Sequence, residues 1–217
     1  VRILRRDIDR LGFAKDFTIY DTDDARRVVK DVVKELNLDD KTFQPKSVLS
    51  VISAAKDRYL GPEEFAQKHS AETDWRMGRI AKIYAAYQKK LASASALDFD
   101  DIIFHTVTLL KQEPEVLACY QKKFRYVCVD EYQDTNHLQY LLTGLLAGGR
   151  RNLCVVGDDD QSIYRFRGAN IENILNFEEQ YPSARVIRLE QNYRSTQNIL
   201  DAANAVIRNN TGRQGKT

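Results

Sequence analysis

No run of apolar residues in this 217-residue chain approaches the roughly 20 needed to cross a bilayer, and no signal segment opens it. Cysteine is scarce. Cys119, Cys128 and Cys154 are an odd number without metal-site spacing. Two of them fall inside apolar strand candidates, which predicts buried thiols in a reducing compartment. The three histidines, His69, His105 and His137, are too scattered to form a ligand cluster. An excess of one charge is also lacking: 33 Lys and Arg against 31 Asp and Glu leave +2, which says little about nucleic acid by itself. What is present, 43% hydrophobic and 29% charged residues, is an ordinary globular composition, long enough for one to two domains. The chain starts at Val1 rather than methionine, inside a helix-like pattern, which reads as a piece of something longer.

The first 120 or so residues carry helical periodicity broken by polar turns. Ala25, Val28, Val29, Val32, Val33 and Leu36 share one face over 24–37, after the cap-rich Asp21-Thr-Asp-Asp24. A second helix is expected after Pro45, with Val48, Leu49, Ile52 and Ala55 inward. Gly61-Pro62 marks a break, and Pro62 suits a first helical turn. A long helix then carries Ile80, Ile83, Tyr84, Tyr87 and Leu91 on one stripe, and Ala92-Ser-Ala-Ser-Ala96 reads as a small-residue linker. Another helix opens at Asp98 with Phe99, Ile102, Ile103, Val107 and Leu110 facing in, and no strand is convincing in this half.

From Phe124 the pattern changes. Short apolar runs over 126–129, 153–156 and 185–189 read as strands, alternating with helices over 137–147, 171–180 and 197–209. That alternation predicts right-handed βαβ units and a parallel sheet. Three strands are too few for a complete nucleotide-binding sheet, so the others are expected before Val1.

Chemistry gathers where these strands end. Asp130 and Glu131 follow the first, where open α/β sheets bind ligands. One acid could hold Mg²⁺ and the other orient or deprotonate a water; equally, acids there could solvate the strand end and cap the next helix. The second strand ends in Gly157-Asp-Asp-Asp-Gln161, either a Gly/Asp turn or a loop whose Gln bonds a terminal phosphate. Then Tyr164, Arg165, Phe166 and Arg167 alternate aromatics with guanidinium groups, a combination that suits unpaired bases and their phosphates. After the third strand, Ser195 or Thr196 is a natural N-cap, while Tyr193 beside Arg194 could stack on an adenine and neutralise a transferring phosphate.

The ordered set Asp-Glu-Tyr-Gln-Asp-Thr-Asn136, Gly157-Asp-Asp-Asp-Gln-Ser-Ile-Tyr-Arg-Phe-Arg-Gly-Ala169 and Leu189-Glu-Gln-Asn-Tyr-Arg-Ser-Thr196 closely resembles the UvrD/Rep/PcrA-like superfamily 1 DNA helicases. Ile52-Ser-Ala-Ala-Lys56 and Leu97-Asp-Phe-Asp-Asp101 resemble parts of the helical insertion of those enzymes. The resemblance implies an α/β fold: an incomplete RecA-like parallel sheet of the P-loop NTPase type with an N-terminal all-α insertion domain. Its implied boundaries are 1–117 for the insertion, 118–183 for the second part of the first RecA-like domain, and 184–217 for the opening strand and helix of the second. It implies ATP and Mg²⁺ as cofactors, with Asp130 and Glu131 at the metal, Glu131 activating water, Gln161 sensing the γ-phosphate, Tyr193 on the adenine and Arg194 on the γ-phosphate. Tyr164, Phe166 and Arg167 would hold single-stranded DNA, and Lys56 would contact duplex at a single-strand/duplex junction. Phe166 departs from the Trp common in relatives. Asp98 to Asp101 also reads simply as an N-cap with an acidic first turn.

One part is missing. The tail Gly212-Arg-Gln-Gly-Lys-Thr217 imitates a phosphate loop, but Gly-x-x-x-x-Gly-Lys-Thr requires glycine at 210, where Asn210 stands. The expectation is an internal piece of a 3′→5′ helicase of bacterial cytoplasmic, nucleoid-associated type, acting in repair or replication, without a membrane partner and inactive by itself. The alternatives are a piece of a RecB/AddA-like helicase-nuclease subunit, or a non-catalytic DNA-binding module.

Overall fold

The computed structural model describes residues 1–70, 74–161, 168–189 and 191–207. In chain order the elements are α1 (Arg2–Asp7), β1 (Thr18–Ile19), α2 (Thr22–Glu35), α3 (Pro45–Asp57), α4 (Pro62–Lys68), α5 (Trp75–Ser93), β2 (Ala96–Leu97), α6 (Phe99–Gln112), α7 (Pro114–Lys123), β3 (Val127–Val129), α8 (His137–Ala147), β4 (Leu153–Val155), α9 (Glu172–Leu175), α10 (Phe177–Gln180) and α11 (Gln197–Ile207). Helix predominates, with two small parallel sheets. Two compact units emerge: one holds Val1–Val127 and Asn136–Leu153, the other Cys128–Thr135 and the described residues from Cys154 onward.

In the first unit local chemistry sets the helix starts. Pro45, Pro62 and Pro114 each stand in a first turn, where the missing N–H costs nothing. Asp21 and Asp24 form a reciprocal capping box at α2, so that helix starts at Thr22. The predicted stripes of α2, α3 and α5 face one cluster through Val29, Val32, Val48, Ile52, Ile83, Tyr84 and Leu91. A second cluster joins Leu4, Ile8, Phe17, Leu97, Leu109, Leu110 and Tyr120. Contrary to expectation, this half contains strands. β1 pairs parallel with β2 in the register Thr18↔Ala96 and Ile19↔Leu97. The expected linker over 92–96 is instead the end of α5 followed by β2. Period-2 alternation sends Ala96 to the first cluster and Leu97 to the second. Two residues are too short a run for that alternation to be read from sequence.

Between the helices of the first cluster and α6 lies a buried ion network. Asp98, the N-cap of α6, accepts the Asp101 N–H through Oδ1 (2.8 Å), and Asp101 Oδ2 accepts the Asp98 N–H (3.1 Å). The other two oxygens, Asp98 Oδ2 and Asp101 Oδ1, take the Lys56 ammonium at 2.6 and 2.7 Å. Tyr87 Oη–H donates to Asp98 Oδ2 (2.8 Å), and Gln88 Nε2–H to Asp101 Oδ1 (3.0 Å). Burial alone works against the ammonium, but the two carboxylates more than offset it, and the Lys56 pKa sits above its ordinary value. Burial pushes the Asp98 carboxyl up despite Lys56, whereas at Asp101 the burial is outweighed by Lys56 and the carboxyl stays below its usual range. Lys56 is 0% exposed. The expected DNA contact through this residue is therefore corrected: its charge is enclosed and matched inside the protein, not offered to a phosphate.

α8 starts at a third reciprocal box. Asn136 Oδ1 accepts the Gln139 N–H (2.9 Å), and its Nδ2–H donates to Asp57 Oδ1 (2.6 Å) at the end of α3. One amide orientation satisfies both bonds. Asn136→Ala removes the cap and the bond to Asp57; the expected cost is about 0.5–2 kcal/mol, read from the urea midpoint of the 217-residue chain.

β3 runs beside β4. The Val127 N–H donates to Asn152 O (2.9 Å) and the Val156 N–H to Val129 O (2.8 Å), so both strands advance in the same direction. Cys128 and Cys154, central in these strands, are exposed, as is Cys119. This corrects the expectation of buried thiols: parallel strands are normally covered on both faces, and no described residue covers the face carrying these two sulfurs. The expected strand over 185–189 does not form among the described residues, and Val186, Ile187 and Leu189 are exposed. A strand needs an edge to pair with, and its β-branched composition does not supply one. The helix expected over 171–180 divides at Asn176 into α9 and α10.

Candidate functional site

β3 ends at Val129, and the chain then turns sharply. Asp130 Oδ1 accepts the N–H of Glu131 (2.9 Å). Glu131 adopts φ 51° and ψ 42°, the left-handed region that a side chain with a Cβ rarely occupies. A 3₁₀ turn, Tyr132–Asp134, follows at once, and Tyr132 is held edge-on against Phe177 with ring centroids 5.8 Å apart. Tyr132 N–H donates to Val156 O (2.9 Å), and Asn173 Nδ2–H to Thr135 O (3.0 Å). The strained residue is therefore flanked by anchored ones, as such conformations require.

Gln133 joins this turn to the loop after β4. Its side chain is in a residue only 1% exposed. Nε2–H donates to Glu131 Oε2 (2.8 Å), and Oε1 accepts the Asp158 N–H (3.0 Å). Asp158 Oδ2 in turn accepts Gln161 Nε2–H (3.0 Å). A Cβ at Gly157 would lie 2.6 Å from Gln133 Oε1, so glycine there permits the loop to approach. One carboxylate oxygen from each of Asp158, Asp159 and Asp160 lies within 4.8 Å of the other two, and such oxygens are hard donors of the kind Mg²⁺ accepts.

Three of the residues singled out in the sequence, Asp130, Glu131 and Gln161, thus belong to one continuous hydrogen-bonded arrangement at the ends of β3 and β4. Tyr193 stands 92% exposed, and Arg194 is exposed in a turn whose Asn192 Oδ1 accepts the N–H groups of Arg194 and Ser195 (2.8 and 2.9 Å). No hydrogen bond or ion pair among the described residues joins Arg194 to the acids. Tyr164, Phe166 and Arg167, expected on single-stranded DNA, lie outside the described residues, as does the tail with Lys216. Sequence reasoning missed Gln133 and the need for Gly157. The available signal was a neutral amide two residues after a paired acid, which means something only once the 3₁₀ turn is known.

Among the described residues no helix is long and apolar enough to cross a membrane. A family profile described as the UvrD/REP helicase N-terminal domain matches residues 1–182. The chain is 56% identical over 216 residues to the ATP-dependent DNA helicase PcrA of Bacillus subtilis (strain 168). It is 53% identical over 216 residues to proteins of the same name from Staphylococcus epidermidis and Staphylococcus aureus. Each match covers 100% of this chain, which spans 29% of the length of these relatives. A profile match across most of the residues, with more than half identity along the chain to proteins of that kind, establishes that the chain belongs to the UvrD/REP helicase family.

Proposed function

We propose that the ends of β3 and β4 are part of the ATPase site of an ATP-dependent DNA helicase that couples hydrolysis to 3′→5′ movement on single-stranded DNA and to unwinding at a duplex junction. The observation that carries this reading is the anchored, left-handed Glu131, bonded through Gln133 and Asp158 to Gln161. In that reading Glu131 takes a proton from the attacking water. Gln161 reports the terminal phosphate, Tyr193 stacks on the adenine, and Arg194 neutralises the γ-phosphate.

Asp130 suits the magnesium role. Its Oδ1 is engaged by the Glu131 N–H, and the carboxylate sits exposed at a strand end, where a metal that keeps several waters takes only one or two protein oxygens. When bound, the ion would neutralise charge on the phosphate oxygens. Tyr164, Phe166 and Arg167 remain assigned to single-stranded DNA by their resemblance and chemistry. The domain assignment follows the same reading: 1–117 as the helical insertion, 118–183 as part of the first RecA-like domain and 184–217 as the opening of the second.

Because no Gly-x-x-x-x-Gly-Lys-Ser/Thr occurs in these 217 residues, the chain by itself is expected to lack ATPase activity. The full-length helicase containing it should hydrolyse ATP with DNA stimulation, measured by phosphate release. ATP turnover by the purified 217-residue chain, abolished by Glu131→Gln, would overturn the claim that a phosphate loop from elsewhere is needed.

A further inference from the structure

Gln133 is placed to do more than fill space. Its carboxamide is used at both ends, and in only one orientation: Nε2–H toward the Glu131 carboxylate (2.8 Å) and Oε1 toward the Asp158 N–H (3.0 Å). Rotating the amide by half a turn would set oxygen against oxygen and N–H against N–H. The side chain cannot easily leave, since Tyr132 and Gln133 are both buried and Gly157 closes against Oε1. Asp158, the acceptor's partner, also holds Gln161. The result is a short relay from the acid proposed to activate water to the glutamine proposed to sense phosphate.

We infer that Gln133 is a positioning residue that couples the orientation of the Glu131 carboxylate to the Gly157–Gln161 loop. The inference rests on the reading of Glu131 given above. The relay works by hydrogen bonding alone. While the loop holds the Asp158 N–H against Oε1, Gln133 is fixed and keeps Glu131 Oε2 engaged, leaving Oε1 of Glu131 to face a water. When the loop shifts, the amide loses one anchor and the carboxylate loses its orientation. Phosphate contact at Gln161 and competence at Glu131 thereby become linked states of one small network.

The test uses the full-length helicase. Gln133→Met keeps about the size of the side chain but removes both the donor to Glu131 and the acceptor of the Asp158 N–H. Its kcat for ATP hydrolysis should fall by up to about 10²-fold, as displacement of a catalytic group by about 1 Å can produce, while KM for ATP changes little. Gly157→Ala, whose Cβ would press on Gln133 Oε1 without altering any charge, should lower kcat in the same way. A kcat unchanged in both variants while thermal stability drops, or a loss that appears equally in KM, would reduce Gln133 to packing and overturn the coupling. Lack of ATP turnover by the unsubstituted full-length protein would instead remove the reading on which the coupling rests.

Discussion

Glu131→Gln in the full-length helicase should lower the kcat for ATP hydrolysis by about 10²–10⁴-fold, the usual contribution of a positioned general base. Nucleotide binding should persist, so the variant traps an ATP-bound state on DNA. The substitution isolates charge from shape. Glutamine has the size of glutamate, suits the same anchored turn, and can still accept the Gln133 N–H through its own carbonyl oxygen. What it loses is the capacity to take a proton. Steady-state ATPase assays with and without DNA, together with fluorescence binding of a nucleotide analogue, separate the two quantities. A kcat within a few-fold of wild type would remove Glu131 from the chemistry and leave its left-handed conformation without a catalytic reason.

Lys56→Met should destabilise the 217-residue chain by about 3–5 kcal/mol, the cost of leaving buried charge unmatched. For a chain of this size that corresponds to a Tm lower by roughly 10 °C. The pH dependence has a definite sign. In wild type the depressed Asp101 carboxyl contributes stability above its unfolded value, lost as pH falls through its folded pKa. Asp98, raised by burial, works in the opposite sense and favours folding as it takes up a proton. Without the ammonium, burial raises both carboxyls, so the folded variant binds protons more readily than its unfolded chain. The stability gap to wild type should therefore narrow as pH falls from neutrality. Adding Asp98→Asn and Asp101→Asn to Lys56→Met should recover part of the loss, because asparagine still caps and no buried charge remains. Chemical denaturation across pH measures all of this. An unchanged Tm accompanied by weaker DNA binding would restore Lys56 to the nucleic-acid surface.

The two outcomes show where sequence reading succeeds. Helix starts at Asp21, Pro45, Pro62, Asp98 and Asn136 follow from rules that act over one turn, as do the stripes through Val29, Ile52 and Tyr84. The Asp98 cap with its acidic first turn through Asp101 was visible for the same reason. Its second role was not, because the lysine that completes it lies 42 residues earlier along the chain. The strand expected over 185–189 failed for a related reason: propensity describes a segment, whereas a strand is a relation between two. The exposed Cys128 and Cys154 follow suit, since burial of a strand residue depends on what covers its face.

By itself, then, the sequence determined the helical register, the caps and the order in which acids, amides and arginines follow one another, all of them properties of neighbouring residues. Only the tertiary structure decided what those groups meet. It placed Lys56 in the core, because two carboxylates of a helix cap enclose it there. It made Gln133 the link between Glu131 and Asp158, because a left-handed residue and a 3₁₀ turn aim its amide at both. Charge matching and hydrogen-bond geometry are settled over a few ångströms of space, and residues far apart in the chain are what fill that space.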